Sequence, residues 1–120
     1  MPGSDPKRYR GLTLRILGRG SPPAMGPGKA ELIERIAETG SISAAARAMG
    51  MSYRRAWQLV EALNAAYKKP VVVTAVGGER GGGAQVTPHG RKLTAEFRVM
   101  ERKASRAIAS DVKRFVRHLR

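Results

Sequence analysis

The side chains whose types could do chemistry are few. Glu31, Glu34 and Glu38 recur at helical spacing, His89 and His118 are the two histidines, and Gly28-Lys29 has the look of the end of a phosphate-cradling loop. None of these survives inspection. Position 23 is Pro where such a loop needs Gly, and position 30 is Ala, which offers no hydroxyl to Mg²⁺. The histidines stand 29 residues apart with no cysteine and no clustered carboxylates, so no metal site is expected. Three carboxylates at a helix start answer the helix dipole and form surface pairs. No nucleophile has a base beside it at a diagnostic spacing. The sequence predicts a protein that is not an enzyme and carries no cofactor.

The abundant chemistry is cationic. There are 23 Lys+Arg against 9 Asp+Glu, a formal net charge of +14, yet 42% of residues are hydrophobic, too many for a disordered polyelectrolyte. The excess is spread: residues 1–60 hold 10 cations and 4 acids, residues 61–120 hold 13 and 5. Such a balance suits a polyanion, because neutralising phosphates releases condensed counterions. Nucleic acid is the leading partner and anionic membrane the second. Absence of cysteine, of a signal-peptide core and of any long apolar run fits a cytoplasmic protein with no membrane association. At 120 residues one domain is expected.

Gly and Pro punctuate the elements that must position the cations. Eleven of the 21 lie in residues 1–28 and five in 77–83, and Gly40, Gly50, Pro70, Pro88 and Gly90 mark element boundaries. The alternation over 12–17 predicts a short strand. A helix follows over about 29–39 with Leu32, Ile33, Ile36 and Ala37 on one face and Gly40 as its stop. Ser43 is placed to N-cap a short helix over 44–49, which Gly50 ends, and Ser52 to N-cap another over about 53–67. Helix, tight glycine turn and helix is the sequence form of a helix-turn-helix. The third helix is expected to bury Ala56, Leu59, Val60 and Leu63.

Pro70 closes that region. Residues 71–75 and 84–87 read as two strands around a glycine-rich tip, a β-hairpin wing. Thr87 caps a last helix that Pro88 begins. From Leu93 through Phe97, Met100, Ala104, Ile108, Val112 and Phe115 to Leu119 the apolar spacing marks a single stripe. Helical throughout, roughly 30 residues span about 45 Å, more than one small domain can bury against itself. A homodimer is therefore expected, with Leu93, Phe97, Met100, Ala104 and Ile108 at the seam. Ten cations and three acids fall in residues 91–120, so a partner-binding or membrane-surface helix is the other reading of this stretch.

In this frame Arg54 and Arg55 occupy the first turn of the recognition helix, where Arg can bind guanine bidentately, and Gln58 could read adenine one turn on. Ser52 caps, and its hydroxyl or the neighbouring N–H groups could meet a phosphate. Tyr53 could donate to a phosphate or simply pack, and Trp57 is placed for packing. Ser43 and Arg47 lie on the helix that crosses the backbone. Arg80 is the cation at the wing tip, where Gly81 and Gly82 permit close approach to DNA.

Residues 39–58, together with the wing 77–90, resemble the N-terminal winged-helix domain of ModE-type molybdate-responsive regulators. A weaker likeness is to LysR-type DNA-binding domains, through the Gly-Ser…Ser-Ala-Ala-Ala-Arg start and Val86-Thr87-Pro88-His89-Gly90. The resemblance implies an α+β, mostly α fold: a winged helix-turn-helix with a long C-terminal dimerisation helix. It implies a lead at 1–11, a DNA-binding domain at 12–87 and the dimerisation helix at 88–120. It also implies a transcriptional regulator that binds double-stranded DNA as a homodimer, third helix in the major groove and wing on the backbone or minor groove. The family's molybdate-binding module lies beyond the point where this sequence ends. Molybdate or another small effector is thus an inherited suggestion with no visible site. The competing expectation is a sequence-nonspecific architectural DNA-binding protein.

Overall fold

The computed structural model describes residues 11–19, 23–75 and 83–120. Its elements run α1 (Pro27–Thr39), α2 (Ile42–Ala48), α3 (Tyr53–Ala66), β1 (Val72–Thr74), β2 (Ala84–Val86), α4 (Pro88–Ala107), α5 (Ala109–Phe115) and a 3₁₀ turn (Val116–His118). This is the expected mostly α winged helix-turn-helix. Gly40 and Gly50 both sit at φ 67°, the left-handed conformation that ends a helix without a Cβ clash.

One apolar interior joins these pieces. Leu32, Ile33 and Ile36 of α1, Ala45 of α2 and Ala56, Val60 and Leu63 of α3 are all at or below 2% exposure. Leu59 and Trp57 are half-buried against that interior. The wing strands pair antiparallel, Val72 opposite Val86 and Thr74 opposite Ala84, and Ala84 N–H donates to Gly40 O at 2.9 Å, tying the hairpin to the end of α1.

Four expectations are corrected. Ser41, not Ser43, caps α2: its Oγ accepts from the Ala44 N–H at 3.0 Å, and the helix starts at Ile42 because Ile42 itself is buried. Residues 12–17 form no strand. Among the described residues only Ile16 pairs, in an isolated bridge with Met25, and its carbonyl also accepts from the Ala24 N–H at 2.8 Å. Glu31 is buried at 3% exposure instead of lying on the surface. Gly90 is no boundary; it lies inside the first turn of α4, where a Cβ would sit 2.5 Å from Val71 O.

The terminal helix is also interrupted. Ile108 leaves helical geometry (φ −118°, ψ 17°) and α5 restarts the chain with Asp111 in its first turn, a carboxylate placement that favours a helix N-terminus. The stripe divides accordingly. Phe97, at 1% exposure, belongs to the chain's own interior and is not free for a partner, while Leu93 is half-buried against that interior. Met100 at 40% and Ile108 at 36% stay open, with Ala104 half-buried. The first half of α4 packs against α1 and β2.

Candidate nucleic-acid interface

The outward surface of the helix-turn-helix is set by the phase of α3. Ala56, Val60 and Leu63 fix its inward face, so Ser52, Tyr53, Arg54, Arg55 and Gln58 are all exposed. Ser52 caps the helix as expected, its Oγ accepting from the Arg55 N–H at 3.0 Å. The neighbouring N–H groups at this end carry the positive pole of the helix dipole. Among the described residues neither Arg54 nor Arg55 has a carboxylate within ion-pair distance, so both present uncompensated charge.

The two arginines are not equivalent. Arg54 and Gln58 lie one turn apart on the centre of the exposed face, whereas Arg55 points to the flank that meets α1. There Lys29 is half-buried, with Nζ donating to Pro23 O. Burial, and secondarily the charge of Arg55, hold the Lys29 ammonium below its ordinary pKa. On the opposite flank Tyr53 is 55% exposed and meets the edge of Trp57 at 6.1 Å between ring centroids. Trp57 thus packs, as its spacing suggested, and props Tyr53 outward.

In α2, Arg47 is exposed and its Nη1 donates to Ser43 Oγ at 3.1 Å, so these two expected contacts act as a pair. Arg80, Gly81 and Gly82 lie outside the described residues. The strands that flank them are held firmly. Asn64 of α3 does the holding, and sequence reasoning missed it. Its Oδ1 accepts from the Val71 and Val72 N–H groups at 2.8 and 3.1 Å, and its Nδ2 donates to Val72 O at 2.9 Å. The available signal was an amide on the flank of an apolar helix face just ahead of a β-branched run.

At the far end of the wing, Thr87 Oγ1 accepts from the Gly90 N–H at 2.9 Å while donating to Pro70 O at 2.7 Å. Gly90 then lets α4 begin against the backbone of Val71. A second unforeseen link joins α4 to α1. Arg98 makes a bidentate pair with Glu34, at 2.7 and 3.1 Å, and reaches Glu101 at 2.7 Å. Burial works against its charge, but the hydrogen bonds it donates to the Glu34 and Glu101 carboxylates outweigh that and raise its pKa further. His89 sits in the first turn of α4 with its ring against Tyr67, whose hydroxyl donates to Ala24 O at 2.9 Å.

Among the described residues no three His, Cys, Asp or Glu side chains cluster, and no helix is long and apolar enough to cross a membrane.

Comparison with known proteins shows the family. Residues 28–91 match the family model of bacterial regulatory helix-turn-helix proteins of the lysR family. The chain is 42% identical to the molybdenum-pterin-binding protein MopB of Rhodobacter capsulatus over 108 residues, covering 90% of this chain and 38% of that protein. It is 37% identical to the molybdenum transport protein ModE of Azotobacter vinelandii over 78 residues, 65% of this chain and 29% of that one. With the DNA-binding transcriptional dual regulator ModE of Escherichia coli K12 it shares 39% over 67 residues, 56% of this chain and 26% of that one. The chain thus spans 26 to 38% of these relatives. A solved structure similar to it is ArgP from Mycobacterium tuberculosis, at a TM-score of 0.49 and 24% identity, covering 72% of this chain and 31% of that one.

Proposed function

Because the chain belongs to the bacterial regulatory helix-turn-helix proteins of the lysR family, we propose that it regulates transcription by sequence-specific binding to double-stranded DNA as a homodimer. The observation that carries this is the first turn of α3: a capped helix start with Arg54, Arg55 and Gln58 exposed and both arginines unpaired among the described residues. An α-helix with that end outward fits the major groove, where Arg reads guanine and Gln reads adenine.

Arg54 and Gln58 take the base edges. Arg55, on the flank beside Lys29, takes a phosphate, as do Ser52 and the N–H groups it leaves free. Tyr53 donates its hydroxyl to the backbone from the support of Trp57. Ser43 and Arg47, joined on α2, contact the same strand where that helix crosses it. Arg80, Gly81 and Gly82 form the wing contact beyond the strands that Asn64 holds. Phosphate contacts supply most of the affinity and the start of α3 most of the discrimination.

The homodimer is supported by the apolar residues left open beyond the interior, Val99, Met100 and Ile108, with Ala104 between them. Two-fold symmetry then sets half-sites about 34–36 Å apart, or a multiple of that. The names of the Rhodobacter capsulatus and Azotobacter vinelandii relatives attach molybdenum to those proteins; the exposed cations of this chain suit the phosphates of DNA.

Selection of bound fragments from a random DNA library tests it. A symmetric enriched motif is expected. If no sequence is enriched and affinity collapses equally on all DNA as salt rises from about 50 to 200 mM, the charge alone does the binding and the protein is architectural.

A further inference from the structure

The centre of the exposed face of α3 does not end at Gln58. Arg54, Gln58, Glu61 and Ala65 fall within an arc of about 60° at helical spacing, and all four are exposed. Glu61 is the single acid of α3. Its helical neighbours at three and four residues are Trp57, Gln58, Asn64 and Ala65, none of them a cation. In a chain with 23 Lys+Arg, and among the described residues, Glu61 has no ion-pair partner. Glu34, Glu38, Glu101 and Asp111 each have one; Glu96 of α4, like Glu61, has none among the described residues, but only Glu61 lies in line with Arg54 and Gln58. A carboxylate in line with the base-facing residues weakens attraction to any polyanion, so it is the wrong side chain for affinity. It is a suitable one for discrimination.

We infer that Glu61 is a specificity-determining residue of the recognition helix, accepting a hydrogen bond from the exposed amino group of a cytosine in the major groove one step beyond the base pair met by Gln58. The inference rests on the DNA-binding reading above. An ionised carboxylate is acceptor-only, so it is satisfied by an amino group and repelled by the acceptors of guanine and thymine. Adenine offers an amino group beside an acceptor, cytosine an amino group without that neighbour on its own edge. Against nonspecific DNA the carboxylate finds phosphates and acceptors alike, and is repelled. The same group thereby favours one site and penalises the rest, which is how specificity is raised without raising affinity.

The test compares wild type, Glu61→Gln and Glu61→Ala by fluorescence anisotropy on the enriched site, on its single-base-pair variants and on scrambled duplex. Both substitutions lie on an exposed position, and equal unfolding midpoints confirm that the fold is shared. Both variants are expected to bind scrambled DNA at least as tightly as wild type. Discrimination at one C·G pair in each half-site falls by about tenfold in Glu61→Ala. Glu61→Gln, which donates as well as accepts, shifts that position towards adenine. Unchanged discrimination at every base pair in both variants overturns the role of Glu61 and leaves the regulator reading standing. A wild type that enriches no motif overturns both.

Discussion

The two halves of the apolar stripe on the terminal helices carry the same spacing and meet different fates. Phe97 is 1% exposed, enclosed by the chain's own interior, while Phe115, further along the same pattern, is 68% exposed and no residue of α5 is buried. The difference lies in what stands beside each. The start of α4 runs along α1 and the wing, clamped by Thr87, Gly90 and Arg98. Beyond Met100 those neighbours have ended. A periodic stripe marks one face of a helix, and only the surrounding chain decides whether that face is buried internally.

The sharpest way to break this contrast is a matched truncation. Phe97→Ala is expected to cost about 3–5 kcal/mol in denaturant unfolding, whereas Phe115→Ala in the dissociated chain stays within about 0.5 kcal/mol. Comparable losses would erase the distinction. Next comes Gly90→Ala, whose Cβ meets Val71 backbone and both Val71 and Val86 side chains; about 1–3 kcal/mol is expected, measured as a lowered Tm. A neutral substitution there would mean that α4 is free to shift off β1.

Arg98→Ala is expected to cost about 1–2 kcal/mol, between the exposed and buried limits, because Glu34 and Glu101 are left facing each other's charge without the guanidinium. Restored stability in the double variant with Glu34→Gln would confirm the link. Smallest in stability, yet decisive for assembly, are Met100→Asp and Ile108→Asp. Each is expected to leave monomer stability within about 0.5 kcal/mol while abolishing self-association in sedimentation at tens of micromolar. Persistent dimers in both would move the seam elsewhere.

Local chemistry made much of this molecule legible. The glycine stops at 40 and 50, the caps at Ser52 and Thr87, and the two strands of the hairpin each depend on a few adjacent residues, and the structure bears them out. The cap of α2 slipped from Ser43 to Ser41 because both serines flank Ile42, and burial of Ile42, a tertiary matter, chooses between them. The ion pair of Arg98 with Glu34 joins residues 64 apart, and no periodicity announces it. Nothing local marks Asn64 for its role, which depends on the backbone of Val71 and Val72 lying beside it. Of the candidate interface, the exposure of Ser52, Tyr53, Arg54, Arg55 and Gln58 followed from helix phase alone. That Arg55 leans towards Lys29 and away from the centre of that face required α1 in place.

The central claim is that the first turn of α3 reads sequence, and Arg54 tests it most directly. Kd is measured for wild type and Arg54→Ala on the enriched site and on scrambled duplex at one salt concentration. The account predicts a loss of about 1–3 kcal/mol on the enriched site and a much smaller one on scrambled DNA. Equal losses on the two would contradict it and reduce Arg54 to a phosphate contact.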